Sequence, residues 1–461
     1  MAWIIKHIVT ICFFLGYYQT LPIYGETIRA PPHYKVVNVS SLEPKPYCQR
    51  SSSGSKIGSQ KLEIVSRFGP CFPNTSRTKT ASSNELLNWD QARVRSINKR
   101  VNDHLYSNSL SEDGLDPTIE GKYEFGGVYN VKIGLGTPKQ DYYLMMDTGS
   151  QPTWVRCQSC TKGCKSENPL YDPSKSSTYT NNTSVPFRVG YGDNSYTNGI
   201  WGCDTLTIEG IGAINNFRFG CGQENVDGTG NNFGDVAGIL GLGRGELSFP
   251  SQIQSASSTQ MFSYYVPLTN SHVGNLEFGN EAKKKSYACS NQFTPLVKGP
   301  EPVFYYLDLV GISVAGNKLN VTSTTFTNEG TVIDSGTVIT RLPRAVYSAF
   351  RAAFRQSMSS YTLLENVDEL MDTCYSFKGY EQIVLPEIKF HFGEGTSTTT
   401  DVKLSNNGIL WMKDDRVKCL AFAAKENDEH VSIIGYVQQR GFNVLYDLER
   451  ERIGFGSNCA S

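Results

Sequence analysis

A short pattern occurs twice in this chain, and the second copy brings its context with it. Met145-Met146-Asp147-Thr148-Gly149-Ser150 returns as Val332-Ile333-Asp334-Ser335-Gly336-Thr337, 187 residues on. Downstream of the first lies Ile239-Leu240-Gly241 and downstream of the second Ile433-Ile434-Gly435, 194 residues apart. Two elements that recur in the same order at nearly equal offsets predict two copies of one lobe. A single Asp-Thr-Gly is an ordinary turn; the ordered pair carries far more weight.

From Tyr123 onward the grain of the chain is β. Runs such as YNVKIGLG, YYLMMD, TLTIEG, YYLDLVGISV and GFNVLYDL are rich in Val, Ile, Tyr and Thr, with Gly or Asp at their ends. Helical patterning is sparse, clearest over 344–360. Many short strands with glycine-marked turns predict an all-β, two-lobed body. Residues 26–120 read differently: 49–60 are Ser, Gly and Lys-rich, and 84–106 carry Leu86, Leu87, Ala92, Val94, Ile97, Val101 and Leu105 at partly helical spacing. Residues 107–120 form a polar stretch suited to proteolytic nicking. The divisions expected are a leader over 1–25, a propeptide-like head over 26–120, and lobes over 121–300 and 301–461.

Each repeated Asp stands between an apolar strand end and a Gly, with a hydroxyl residue following. The apolar run places the carboxylate at a strand exit, the Gly permits a tight turn, and Ser150 and Thr337 offer hydroxyls to orient an oxygen. If the two loops meet face to face, two carboxylates a few Å apart cannot both stay ionised, and they hold one proton between them. One is then a general base toward water, and the other polarises a carbonyl. Such chemistry requires neither a cofactor nor a metal.

Formal charge excludes some classes and hints at a mechanism. The whole chain is near neutral and has no basic run of the nucleic-acid-binding kind. The asymmetry lies along it: residues 1–120 hold 14 basic and 10 acidic side chains, and the rest hold 29 and 34. A basic head bearing Arg93, Arg95, Lys99 and Arg100 can dock on an acidic body and let go as carboxylates protonate.

The first 25 residues read as a secretory leader, with Lys6 and His7 ahead of a mostly apolar Ile8 to Tyr18 that is too short for a membrane span. Entry to that route predicts that most cysteines pair. The candidates are Cys157, Cys160, Cys164, Cys203, Cys221, Cys374, Cys419 and Cys459. The Cys157/Cys160/Cys164 spacing also suits zinc, but six His in the chain and an oxidising compartment favour disulfides. Residues 121–461 hold nine Cys, so one is left free, intermolecular or paired with the head. Asn38, Asn74, Asn181, Asn182 and Asn320 are glycosylation candidates in Asn-x-Ser/Thr context.

The chain resembles the pepsin-like aspartic proteases, specifically their plant nepenthesin-like branch. The resemblance rests on Gly134-Leu135-Gly136-Thr137-Pro138 before the first motif, Trp154, Tyr191-Gly192-Asp193, FGCGQ at 219–223, AGILGLGRGELSFPSQ at 237–252, VIDSGTVITRLP at 332–343, DTCYSF at 372–377 and CLAF at 419–422. RFGPC at 67–71 and DQARVRSI at 90–97 extend it into the head. It implies a bilobal fold with a six-stranded interlobe sheet, Asp147 and Asp334 as catalytic pair, and Thr148 and Ser335 as hydroxyls that cross-bond the two loops. It also implies Tyr191 on a flap with Trp154 as its partner, and a loop closed by Cys374 and Cys419. Cys221 and Cys459 could reach each other or other partners. Tyr265 stands where cysteine is usual, Cys289 is an extra, Gln151 replaces an acidic residue, and Tyr436 stands where Asn is frequent.

The function expected is therefore a secreted aspartic endopeptidase made as a zymogen. It is expected to be a monomer without membrane or nucleic-acid partners, taking extended peptides and inhibited by its own propeptide. Delivery to the apoplast is expected, with the vacuole as the alternative. A binding or inhibitory protein on the same fold would be expected to lack one Asp or its hydroxyls, and both motifs are complete.

Overall fold

A computed structural model describes residues 29–50, 61–73, 82–106, 128–164, 169–190, 195–226, 237–327, 329–393, 399–457 and Cys459. The leader, the 107–122 stretch, Asn74, Tyr191 and the side chain of Asn182 lie outside the described residues.

The body is mostly β-sheet with few helices, as expected from the sequence. The sequence echo corresponds to a repeated strand pairing. After β1 (Tyr34–Asn38) and β2 (Lys61–Ser66) of the head come β3 (Tyr129–Leu135), β4 (Gln140–Asp147) and β5 (Trp154–Arg156). Strand β4 runs parallel to Gly238–Gly241, with Met146 opposite Leu240 and Asp147 opposite Gly241. In the second lobe Thr331–Ile333 runs parallel to Ser432–Ile434, with Val332 opposite Ile433. The strand after each Asp loop returns antiparallel to that partner: β5 against Gly238–Gly241 and Thr340–Leu342 against Ser432–Ile434. Met146, Leu240, Ile333 and Ile434 are all buried, so both Asp loops leave from strands held on two sides.

An antiparallel sheet joins the lobes, in the order β2, Gly274–Phe278, Met261–Tyr265, Asn443–Asp447, Arg452–Ser457, Ser290–Val297. These are six strands, and one of them belongs to the head. β2 also pairs with β3 on its other side, burying Leu62, Ile64 and Val65. A second head strand, β1, extends the second lobe along Gln382–Pro386. The charge-and-helix reading of the head anticipated neither strand.

Helix α1 (Ser83–Tyr106) follows and matches the helix expected over 84–106. Its buried residues are not confined to one stripe: Leu86, Leu87, Trp89, Asp90, Ala92, Val94, Ile97, Asn98 and Val101 are all buried. A helix buried on several sides is wedged between other elements rather than laid on a surface.

Five disulfides are present: Cys48–Cys71 in the head, then Cys157–Cys221, Cys160–Cys164, Cys289–Cys459 and Cys374–Cys419. Cys203 was expected among the paired cysteines and is not; it is the one free cysteine among the described residues. The odd cysteine of the body is thus Cys203, while the extra Cys289 takes Cys459 and leaves Cys221 for Cys157. Asn38, Asn181 and Asn320 are exposed, as glycan acceptors must be.

Candidate active site

The two Asp loops, one from each lobe, meet directly. Their contact is reciprocal: the Thr148 N–H donates to Ser335 Oγ at 3.1 Å, and the Ser335 N–H donates to Thr148 Oγ1 at 2.9 Å. Each hydroxyl thus fixes the opposite loop, and the two carboxylates face each other. Asp147 is 1% exposed and Asp334 0%.

Glycine is required here for space rather than for backbone sign. A Cβ on Gly149 would lie 2.9 Å from Asp334 Oδ1, and one on Gly336 would lie 3.2 Å from Asp147 Oδ1. Without side chains at these positions, each loop lets the opposite carboxylate approach its backbone. The Gly149 N–H also donates to Asp147 Oδ1 at 2.9 Å.

The supporting hydroxyls are not equivalent. Thr337 Oγ1 donates to Asp334 Oδ2 at 2.7 Å. Ser150 Oγ is buried but bonds no described residue, and neither does Asp147 Oδ2. Trp154, fully buried, packs with Met145, Phe187 and Ile239 beneath the hairpin of Thr180–Gly190 and Tyr196–Ile208. Tyr191 follows the first of these strands in sequence and lies outside the described residues. Gln151 Nε2 donates to the Arg244 carbonyl, and Tyr436 packs edge-on against Tyr129 beneath Arg440. Neither departure touches the carboxylates.

Helix α1 brings a guanidinium onto the pair. Arg93 Nη2 donates to Asp147 Oδ1 at 2.5 Å and to Asp334 Oδ1 at 3.1 Å, and Nε donates to Asp334 Oδ2 at 3.2 Å. Burial pushes the Asp334 carboxyl up, but the Arg93 charge and hydrogen bonds outweigh it, and the group is held below the ordinary carboxylate range. The other head cations spread outward. Arg95 forks onto Glu426, and Arg100 donates to the Gly149 carbonyl at 2.7 Å and stands over the Phe304 ring. Of the four cations noted in the head, only Arg93 reaches both carboxylates, which charge counting could not single out.

One turn before Arg93, Asp90 forms a second contact that the sequence reading missed. Its carboxylate accepts from the N–H groups of Val338 and Ile339 and from Arg341 Nη2 at 2.8 Å, with Asp90 and Arg341 both buried. The available signal was the i, i+3 spacing of Asp90 and Arg93, which puts both on one helix face. Among the described residues no group of three or more His, Cys, Asp or Glu could hold a metal ion, and no helix is long and apolar enough to cross a membrane.

This paired-loop geometry agrees with comparison to known proteins. Residues 128–458 match the eukaryotic aspartyl protease family. The chain belongs to that family. It is 35% identical to an aspartyl protease family protein of Arabidopsis thaliana over 92% of this chain and 93% of the relative. Aspartyl protease AED1 of the same plant is 37% identical over 92% and 91%. Aspartic proteinase nepenthesin-2 of Nepenthes gracilis is 30% identical over 82% and 86%. This aspartic protease is therefore a hydrolase of the aspartic endopeptidase type, pepsin-like in fold.

Proposed function

We propose that Asp147 and Asp334 are the catalytic pair of a secreted endopeptidase synthesised as a latent precursor, and that Arg93 keeps it latent. The observation that carries this reading is the single guanidinium bonded to both buried carboxylates. It occupies the groove position that the reacting carbonyl of a peptide needs.

With the head displaced, the dyad regains one shared proton, because two carboxylates this close and this buried cannot both stay charged. The ionised member takes a proton from water as its oxygen attacks the scissile carbonyl. The protonated member donates to the carbonyl oxygen, giving a tetrahedral diol. Collapse returns a proton to the leaving amine, breaks the C–N bond and regenerates the shared-proton state. The Thr148 and Ser335 cross-bonds keep the two carboxylates in register throughout.

Exposed Asn38, Asn181 and Asn320 and five disulfides support passage through an oxidising compartment. A dyad built from one loop of each lobe suits an extended peptide laid between them once the head is displaced, cleaved by a single copy of the chain.

The test is cleavage of denatured globin across pH 2–7, with and without a pepstatin-type transition-state mimic. Inhibitable turnover by the acid-treated chain is expected, lost in Asp147→Asn and in Asp334→Asn. Retained turnover in either variant would remove the shared-proton assignment.

A further inference from the structure

Arg341 is an unusual residue to find beside this dyad. It is 1% exposed and lies seven positions after Asp334, on the strand that returns from the second Asp loop. Arg341 Nη1 donates to the Ile339 carbonyl oxygen at 2.8 Å, which fixes the guanidinium against its own strand. Its other acceptors, Asp90 Oδ2 at 2.8 Å and Gln91 Oε1 at 3.1 Å, are both head residues. Among the described residues of the body, no carboxylate is paired with it.

The Asp90 carboxylate is held by more than this cation. Its Oδ1 accepts from the Val338 N–H at 2.5 Å, and its Oδ2 sits 3.4 Å from the Ile339 N. Two successive backbone N–H groups and a fixed guanidinium therefore converge on one carboxylate. Convergent N–H donors with an arginine form a general carboxylate receptor. When the head leaves, Asp90 leaves with it, and the guanidinium and the two N–H donors pass to water with their convergence kept by the strand. A carboxylate that displaces that water meets the same set of donors that Asp90 did.

We propose that Arg341, with the backbone N–H groups of Val338 and Ile339, forms a carboxylate-binding subsite beside the dyad, which takes an Asp or Glu side chain of the substrate and is filled by Asp90 in the intact chain. The inference rests on the reading of Asp147 and Asp334 as the catalytic pair and adds to it the substrate class. The head serves as a template: Arg93 marks the dyad, and Asp90, one helical turn away, marks the subsite about 5 Å along the axis. An extended peptide covers that distance in about one to two residues. The acidic side chain therefore belongs about one or two residues from the bond that is cut.

The experiment uses the full chain activated by acid, and pairs of quenched peptides that differ only by Glu against Gln, placed in turn at every position on both sides of the scissile bond. The pH is set at about 5, where a peptide carboxylate is mostly ionised. The readout is the ratio of kcat/KM for Glu over Gln within one enzyme preparation. A ratio of about ten or more is expected at one position about one or two residues from the cut, as a charge-assisted bond supplies. In Arg341→Gln it should fall to about one, and in Arg341→Lys to an intermediate value, since lysine keeps the charge and loses the fork. A wild-type ratio near one at every position, with the Gln peptides cleaved, overturns the subsite and leaves the protease reading intact; this needs no variant to fold. A ratio that survives in Arg341→Gln overturns the role of Arg341. Failure of the wild type to cleave any of the peptides overturns the catalytic reading, and the subsite with it.

Discussion

Replacing Arg93 by Ala tests the latency mechanism at its narrowest point. The side chain is 10% exposed and makes charge-assisted contacts to two carboxylates that are 1% and 0% exposed. Removing one partner of a buried ion pair costs about 3–5 kcal/mol, because the remaining charge is stranded. Here the stranded pair has a remedy: it can take up the shared proton, so the lower figure applies. About 3 kcal/mol corresponds to roughly a hundredfold rise in the fraction of chains with the groove open. The assay is the initial rate of the intact Arg93→Ala precursor on a quenched peptide at about pH 6, without acid pre-treatment. It is divided by the rate of the same preparation after acid processing. The wild-type precursor should need acid. Asp334 is held low by Arg93 and Glu426 is held low by Arg95, so each binds fewer protons when the head is docked. Docking through these groups is favoured above the free carboxylate range near about pH 4 and is lost as pH falls through the lower docked values. Asp90 acts in the opposite sense, because burial raises it against the pull of Arg341. If Arg93→Ala stays as latent as the wild type while Arg95→Ala or Arg100→Ala releases activity, the plug is elsewhere and the argument fails.

Two further outcomes follow from the head and from the odd cysteine. A chain cut between residues 107 and 127 at neutral pH should keep its head through size-exclusion chromatography, because β2 is paired on both sides and buries Ile64 and Val65; a head that elutes separately without acid or denaturant contradicts this. The acid-processed enzyme should take up one maleimide per chain under native, non-reducing conditions, at Cys203. Labelling should be slow at neutral pH and faster in alkali, since burial raises that thiol. Mass spectrometry showing three labels would mean that one of the body disulfides is not formed.

The parts of this molecule that were legible in its sequence are those whose signals are local or repeated. The Asp-Thr-Gly and Asp-Ser-Gly echoes, each with a later hydrophobic-Gly element, correspond directly to two parallel strand pairings of the same kind. Helix α1 announced itself by spacing, and Cys374 and Cys419 turned out to face each other on adjacent strands. What escaped notice depends on partners far along the chain. β1 and β2 are short strands whose partners begin some 350 and 210 residues later, near Gln382 and Gly274, and nothing in five or six residues specifies such a pairing. Cys203 looked like the other cysteines because pairing is a property of distance, not of residue type. The Asp90–Arg341 contact was hidden for a different reason. Each residue alone reads as a solvated charge, the default for its type, and only the helix wedged between the lobes removes both from water. That burial separates Arg341 from the other head-facing charges: Arg95 bonds Glu426 at the surface and exchanges it for water at little cost when the head departs, whereas Arg341 has no carboxylate partner among the described residues of the body. Release of the head therefore leaves the dyad able to relieve its charge with a proton, whereas Arg341, which cannot give up its own, is left to water or to an anion that a substrate brings.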